Sequence, residues 1–380
     1  MPELQPEGIM SIWYNEVKAE ISVSAIKKNF GLIRKKCPNP IAVIKSDAYG
    51  HGLVPTARAL EECGAQSLAA GTVGEAAALR MTPYNREIIS LLGPIENKDY
   101  QDIIDYRLIP FTGNFEQLRK LNEAAGKDPV QVALKFNTGM SRLGFEPKQA
   151  GQVAKILHKL KNIQPVYLCS HLAAADDPGE EEFTAVQLET LLAVDKTLRG
   201  AGISCRKCLA NSAAILGHPD LHLDAQRPGI ALYGGNPFHG NPWEEKGKGL
   251  VQAMQVSAPI LEIRELEPGQ SISYGRTYLA PKKMRVAIVA CGYADNYSRG
   301  LSNKGWMVVH EKRAPVLGRV CMQLTAVDVS DIPRAERGDR AYILGGGKQG
   351  ISADELAGWW GTISYEVFCL LGQNQRTYLA

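Results

Sequence analysis

From residue 42 to about residue 240 the chain alternates short β-rich runs with stretches of helical periodicity, and no other feature of the 380 residues restricts the fold as much. The strand candidates are 42–45, 67–71, 88–92, 108–111, 130–136, 165–169, 203–209 and 226–233. Between most pairs lies a run with apolar residues three and four apart, at 54–63, 73–81, 97–104, 115–125, 147–159 and 180–199. Strands joined through helices pair in parallel. Eight such units in about 200 residues match the lower end of the range for a (β/α)8 barrel, although alternation alone leaves sheets of other sizes open. Upstream, 13–22 reads as a strand and 23–36 as a helix, with Val23, Ile26, Phe30 and Ile33 on one face.

The pattern changes after Asn236. A linker, N-P-F-H-G-N-P-W-E-E-K-G-K-G, leads into short runs at 253–263, 284–290, 306–310, 314–317, 324–329 and 340–344, each bounded by turn residues. S-A-D-E at 352–355 is a capping box that opens a short helix. The expectation is an α/β barrel over 20–240 followed by a mostly β domain over 241–380, with residues 11–19 a candidate for pairing with the latter. A chain of this length, with 45% apolar and 22% charged residues, has enough material for two cores.

Composition also narrows the partners. The amino terminus, M-P-E-L-Q-P-E-G, is polar and acidic, and no run is apolar enough to span a bilayer, so a cytoplasmic protein with no membrane partner is expected. A net charge of +3 without a basic block argues against nucleic acid. Eight cysteines scattered through expected strands read as buried thiols. Gly345, Gly347 and Gly350 fit G-x-G-x-x-G, but no βαβ unit follows, so they read as a turn. Cys205 and Cys208 form C-x-x-C without a second pair, and no metal site is expected. His158 and His310 sit among charged residues and read as solvated.

Chemistry concentrates where the barrel strands end. The first strand runs into A-V-I-K-S-D-A-Y-G-H-G, which places Lys45 at its carboxyl end, the face on which such barrels collect their reactive groups. The plain alternative is a lysine whose stem stays among apolar neighbours while its ammonium reaches water. Later strand ends carry K-F-N-T-G-M-S-R-L-G-F (135–145), His171, Asn211 with Ser212, and R-P-G-I-A-L-Y-G-G (227–235). The Ser212 hydroxyl, the backbone N–H groups around Gly229 and Ile230 and the Tyr49 hydroxyl suit a phosphate. An amine facing a phosphate site suggests pyridoxal phosphate, whose aldehyde bonds to lysine.

Taken with S-Y-G-R-T-Y, G-Y-A-D and G-R-V-C-M further on, these motifs resemble alanine racemase in order and over nearly the whole chain. The resemblance implies a (β/α)8 barrel with a carboxyl-terminal β domain, a homodimer with shared active sites, pyridoxal 5'-phosphate as cofactor, and interconversion of L- and D-alanine for peptidoglycan or alanine catabolism. It implies that Lys45 holds the cofactor and serves as the base on one face of Cα, while Tyr274 in S-Y-G serves the other face from the partner subunit. By the same resemblance Arg227 meets the pyridine nitrogen and His171 orients it. Tyr49, Asn211, Ser212, Gly229, Ile230 and Tyr365 bind the cofactor, chiefly its phosphate. Arg142 and the backbone of Met322 receive the substrate carboxylate, and Lys135 matches a position that is often carbamylated.

Three stretches depart from the family pattern. Gln323 follows Cys-Met where aspartate is common, Q-N-Q-R at 373–376 keeps only Arg376 of the usual R-V-P-R, and Asn137 replaces an aspartate. Gln323 keeps open a racemase for another small amino acid such as serine. A pyridoxal-phosphate-binding protein without turnover fits less well, because such proteins resemble the barrel alone. A decarboxylase of the same two-domain plan would need a stronger electron sink than an arginine on the ring nitrogen provides.

Overall fold

The structure is a computed structural model that describes residues 15–126 and 128–380. Its contacts divide the chain into two units, one formed by the described residues through Ser22 together with Met254–Leu379, the other by Val23–Ala253. Residues 11–14, where the first expected strand begins, and the polar amino terminus lie outside the described residues.

In the unit Val23–Ala253 the parallel sheet runs in chain order through β2 (Ile41–Val43), β3 (Ser67–Ala70), β4 (Glu87–Ser90), β5 (Ile109–Thr112), β6 (Val130–Lys135), β7 (Ile163–Cys169) and β8 (Arg206–Cys208). β3 and β5 are buried at every residue, as strands covered on both faces must be. The connecting helices bury one stripe each; Phe115–Ala124, for example, buries Leu118 and Leu121 and is capped by the Asn114 side chain on the Gln117 N–H. No helix among the described residues is long and apolar enough to cross a membrane.

The eighth expected strand, 226–233, does not form as such. Only the residues at its start continue the ring: Ala225, just before it, bridges Cys208 and Gln226 bridges Pro40, both in parallel, while Ile41 and Val43 donate to the carbonyls of Gln226 and Pro228 at 2.7 and 2.9 Å. Pro228 has no N–H to continue a ladder, and the chain turns into a 3-10 segment at Ile230–Tyr233. The barrel thus closes through two bridges where a strand was expected. The turn brings Arg227, Gly229 and Ile230 to the end of the barrel that carries Lys45.

The other unit is built on an eight-stranded sheet. β1 (Lys18–Ser22) lies between β9 (Met254–Leu266), antiparallel, and β17 (Gln375–Leu379), parallel. β9 pairs on its far half with β12 (Met284–Val289), which continues through β15 (Thr325–Asp328), β14 (Lys312–Leu317), β13 (Trp306–Val309) and β16 (Arg340–Leu344) back to β9, so the sheet closes on itself. Leu266, Met284, Val286, Leu317 and Ala326 form part of its core. A small ladder joins β10 (Ser271–Ile272) to β11 (Tyr278–Leu279). Ser352 caps the helix Ala353–Trp360 on the Glu355 N–H, as the capping box requires. Gly345, Gly347 and Gly350 form a turn closed by the Gly345–Ile351 bridge.

Candidate active site

β2 stops at Val43, two residues before Lys45, and just after the lysine the backbone turns left-handed. Ser46, Asp47, Ala48 and Tyr49 have φ of 54°, 52°, 55° and 54°, a run of left-handed residues with no glycine among them. Each costs an L-residue roughly 1–2 kcal/mol, so the turn needs outside support. The Asp47 N–H donates to Glu75 Oε1 at 3.0 Å, and Asp47 Oδ1 accepts the Leu53 N–H at 2.6 Å. Glu75 Oε2 also accepts the Gly71 and Thr72 N–H groups, which ties the turn to the end of β3. A Cβ on Gly71 would stand 3.3 Å from Lys45 Cβ, so the lysine stem runs along that strand end.

The turn delivers Tyr49 into the barrel mouth. Its ring lies 4.9 Å from that of Tyr233, with Lys45 Nζ 6.0 Å from the ring centre. Its hydroxyl rests against Gly229 so closely that a Cβ there would collide with it. Ser212 Oγ accepts the N–H groups of Gly229 and Ala231 at 2.9 and 3.3 Å. Asn211 is the N-cap of the same short helix, with its Oδ1 on the Ala214 N–H at 3.0 Å, so its side chain fixes the helix start that presents Ser212. Two hydroxyls and a bare backbone converge here, and the fit to a phosphate is good.

Arg227 leads away from that cradle into a buried cluster. Its Nη1 donates to the Cys208 carbonyl at 2.9 Å and to Cys208 Sγ at 2.8 Å, and its Nη2 approaches the Ser170 carbonyl and, at 3.3 Å, His171 Nδ1. Burial, then the charges of Arg227, Lys135, Arg142 and Lys45, hold the His171 imidazole well below its ordinary range. Burial, with Arg227 and Arg142, likewise brings the Lys135 ammonium down to about 7. Cys169 and Cys208 are register partners on β7 and β8. Burial works against a thiolate at Cys208, but the hydrogen bond from Cys169 and the Arg227 guanidinium outweigh it and lower that thiol. None of the eight cysteines is in a disulfide; Cys63, Cys321 and Cys369 are partly exposed and the other five buried.

Arg142 is exposed on a loop pinned at its base, where Phe145 N–H donates to the Lys135 carbonyl at 2.8 Å and Asn137 N–H to the Phe145 carbonyl at 2.9 Å. Asn137 Oδ1 gathers the Gly139 and Ser141 N–H groups, and its Nδ2 donates to Glu146. Its amide therefore does what an acceptor-only aspartate does on one side and adds a donor on the other. The structure brings Lys45, Tyr49, Asn211, Ser212, Gly229 and Ile230 together at one strand-end cradle, and Lys135, Arg142, His171 and Arg227 beside it.

Tyr274, Met322 and Tyr365 lie in the β unit. Tyr274 is 73% exposed on a turn of left-handed residues, Ser273, Gly275 and Arg276, braced by the Ser273 hydroxyl on the Arg319 carbonyl. Met322 is 58% exposed, and its carbonyl accepts the Ala294 N–H at 2.8 Å. Tyr365 opens the helix Ser364–Leu371. Sequence reasoning passed over Glu75, Thr138, Ser170 and Gln187. Of these only Glu75 carries a local signal, the T-x-x-E capping box at Thr72.

Two family models match the chain: "Alanine racemase, N-terminal domain" over residues 21–237 and "Alanine racemase, C-terminal domain" over residues 253–378. An alanine racemase of Nitratidesulfovibrio vulgaris is 50% identical over 370 residues, covering 97% of this chain and 100% of that one. Among solved structures, the alanine racemase of Streptomyces lavendulae superposes with a TM-score of 0.89 at 30% identity, covering 96% of this chain and 97% of that one. The Bartonella henselae alanine racemase "with covalently bound pyridoxal phosphate" superposes at 0.85 and 27% identity, covering 96% and 99%.

Proposed function

The chain belongs to the alanine racemase family, and on that premise we propose that it interconverts L- and D-alanine with two side-chain bases, Lys45 and Tyr274, around pyridoxal phosphate. The observation that carries this reading is the cradle at the Lys45 end of the barrel, where the Tyr49 hydroxyl, Ser212 Oγ and the bare Gly229 backbone meet. These groups, with the Ile230 N–H and Tyr365, would hold the phosphate. When bound, the cofactor supplies an aldehyde that bonds to an amine and a conjugated ring that takes up the electron pair left by a departing Cα proton.

The remaining work falls to this chain's residues. Lys45 Nζ is the attachment point and moves the proton on one face of the substrate Cα; the Tyr274 hydroxyl of the partner subunit moves it on the other. Racemisation needs both, because a proton taken from one side must return from the opposite side. Arg227, a donor with no lone pair to offer, would give the pyridine nitrogen a hydrogen bond but no proton, and so would limit side reactions. Arg142 would clamp the substrate carboxylate together with the Met322 N–H from the partner. Lys135, already near neutrality, would take up carbon dioxide as a carbamate and hold Arg142 by a charge-assisted pair.

In this reading the unit Val23–Ala253 binds cofactor and substrate, and the β unit lends Tyr274 and Met322 to a second copy in a homodimer. The exposure of both side chains, 73% for Tyr274 and 58% for Met322, supports that arrangement. The reaction would supply D-alanine for peptidoglycan or serve alanine catabolism. The test is borohydride reduction of the holoenzyme followed by peptide mapping, with chiral analysis of alanine in wild type and Lys45→Ala. The pyridoxyl group should map to Lys45 and the variant should lose racemisation in both directions; a pyridoxyl group on another lysine would sink the assignment.

A further inference from the structure

Gln187 has no exposed surface and lies on the buried stripe of the helix Glu181–Gly200, between Thr184 and Leu191. A buried amide must place all its polar atoms, and this one does so between two segments of the site. Its Oε1 accepts the Ala173 N–H at 2.9 Å, and its Nε2 donates to the His171 carbonyl at 3.0 Å and to Thr138 Oγ1 at 3.3 Å. Because the Phe136 carbonyl can only accept and takes the Ser170 hydroxyl proton, Thr138 must send its own proton to Ser170 Oγ, 2.7 Å away. Ser170 in turn donates to the Phe136 carbonyl at 2.9 Å. Only one proton order satisfies this chain, and Thr138 and Ser170 are themselves buried. A second observation points to the same docking: Gly139 has φ +138°, and a Cβ there would stand 2.7 Å from Phe183 Cζ on the same helix.

We propose that Gln187 is a positioning residue which, through Thr138 and Ser170, latches the loop carrying Arg142 to the segment carrying His171 and thereby sets affinity for the substrate carboxylate. The proposal rests on the reading that Arg142 receives that carboxylate. The phosphate cradle hangs on other elements, Tyr49, Ser212 and Gly229, and so does not depend on the latch.

The test uses Gln187→Met and Thr138→Val, each close in volume to the native residue and each breaking the chain at a different point; Thr138→Val serves should the first fail to fold. Four quantities are measured: KM against kcat for both enantiomers, inhibition by propionate, pyridoxal phosphate affinity of the apoprotein, and amide hydrogen exchange of residues 138–143 in the apoprotein. Removing one buried hydrogen bond changes an equilibrium by about tenfold or more. KM and the propionate inhibition constant should rise together by about that factor, with cofactor affinity unchanged and exchange of 138–143 faster. Unchanged exchange, faster exchange with unchanged KM, or a loss of cofactor affinity equal to the rise in KM would each overturn the latch. Arg142→Ala is the control for the underlying reading: if it leaves propionate inhibition unchanged, the carboxylate assignment has failed, and exchange in the apoprotein alone then decides the latch.

Discussion

Arg227 Nη2 lies 3.3 Å from His171 Nδ1, and because a guanidinium can only donate, the ring nitrogen in that contact must accept. Acceptance requires a neutral imidazole with its proton on Nε2. Burial and four surrounding cations act in the same direction. His171 should therefore stay neutral while an ordinary histidine titrates. The unfolded chain, with a histidine near 6.5, takes up the proton first as pH falls, so this site costs stability below that value and costs nothing above it. Nitrogen-15 NMR of labelled histidine should show one ring in the Nε2–H form with no titration step near 6.5; a His171 signal that titrates there would remove the argument.

Lys135 gives a second pH-dependent expectation, on the alkaline side. Its ammonium is held near 7 in the folded chain, against about 10.4 for a free lysine. Between these values the unfolded chain binds the proton and the folded chain does not, so the group's contribution to stability rises with pH across that window. The same neutral amine is reactive toward carbon dioxide, which ammonium is not. Holding the protein at pH 8 in carbon-13 bicarbonate should give one carbamate resonance, and Lys135→Ala should abolish it. Persistence of the resonance in that variant would assign the carbamate elsewhere.

Ser46 tests the left-handed turn that delivers Tyr49. It is exposed, at φ 54°, so a substitution there changes backbone preference with little change in packing. Glycine carries no left-handed penalty, and a β-branched residue carries the largest. Ser46→Gly should leave stability unchanged or raise it by up to about 1 kcal/mol, the penalty relieved being partly offset by the entropy of an unfolded glycine. Ser46→Ile should lower stability by roughly 1–2 kcal/mol. Urea denaturation of the apoprotein measures both, and equal stabilities would mean that the turn is not left-handed in solution.

The parallel barrel was readable because seven of its strands and most of its helices show their own periodicity, and because Lys45, Lys135, His171 and Ser212 all lie at the ends of strand-like runs. What was not readable has physical causes. The eighth strand shrinks to two bridges because Pro228 interrupts it, while its apolar pattern through Tyr233 still looks like a strand. β17, with Gln375, Arg376 and Thr377, lacks any apolar alternation and is a strand only because β1 lies beside it. No residue type in Ser46–Tyr49 announces a left-handed turn. Gln187 reads as an ordinary polar position on a helix, and its place between the 138–139 and 171–173 segments is visible only in the packed structure.

Tyr274 is the residue on which the two-base reading depends most, and its native surroundings sharpen the test. It stands exposed on a braced turn, with Ser273 bonded to Arg319 and Gly275 set against the Arg319 guanidinium, so removing one hydroxyl oxygen should leave the turn intact. Tyr274→Phe should therefore bind pyridoxal phosphate as the wild type does while losing racemisation equally in both directions, since detailed balance ties the two. Solvent exchange separates the faces. With Lys45 still present, the variant should continue to exchange the Cα proton of one enantiomer with deuterated water and should nearly lose exchange of the other, by roughly a hundredfold or more if the hydroxyl is a general base. Mixing Tyr274→Phe with Lys45→Ala subunits tests the shared site, because a mixed dimer rebuilds one intact site from two inactive partners. Symmetric loss of exchange would mean that Tyr274 does not serve a single face. Absence of recovered activity after demonstrated subunit exchange would mean that it acts within its own chain or not at all.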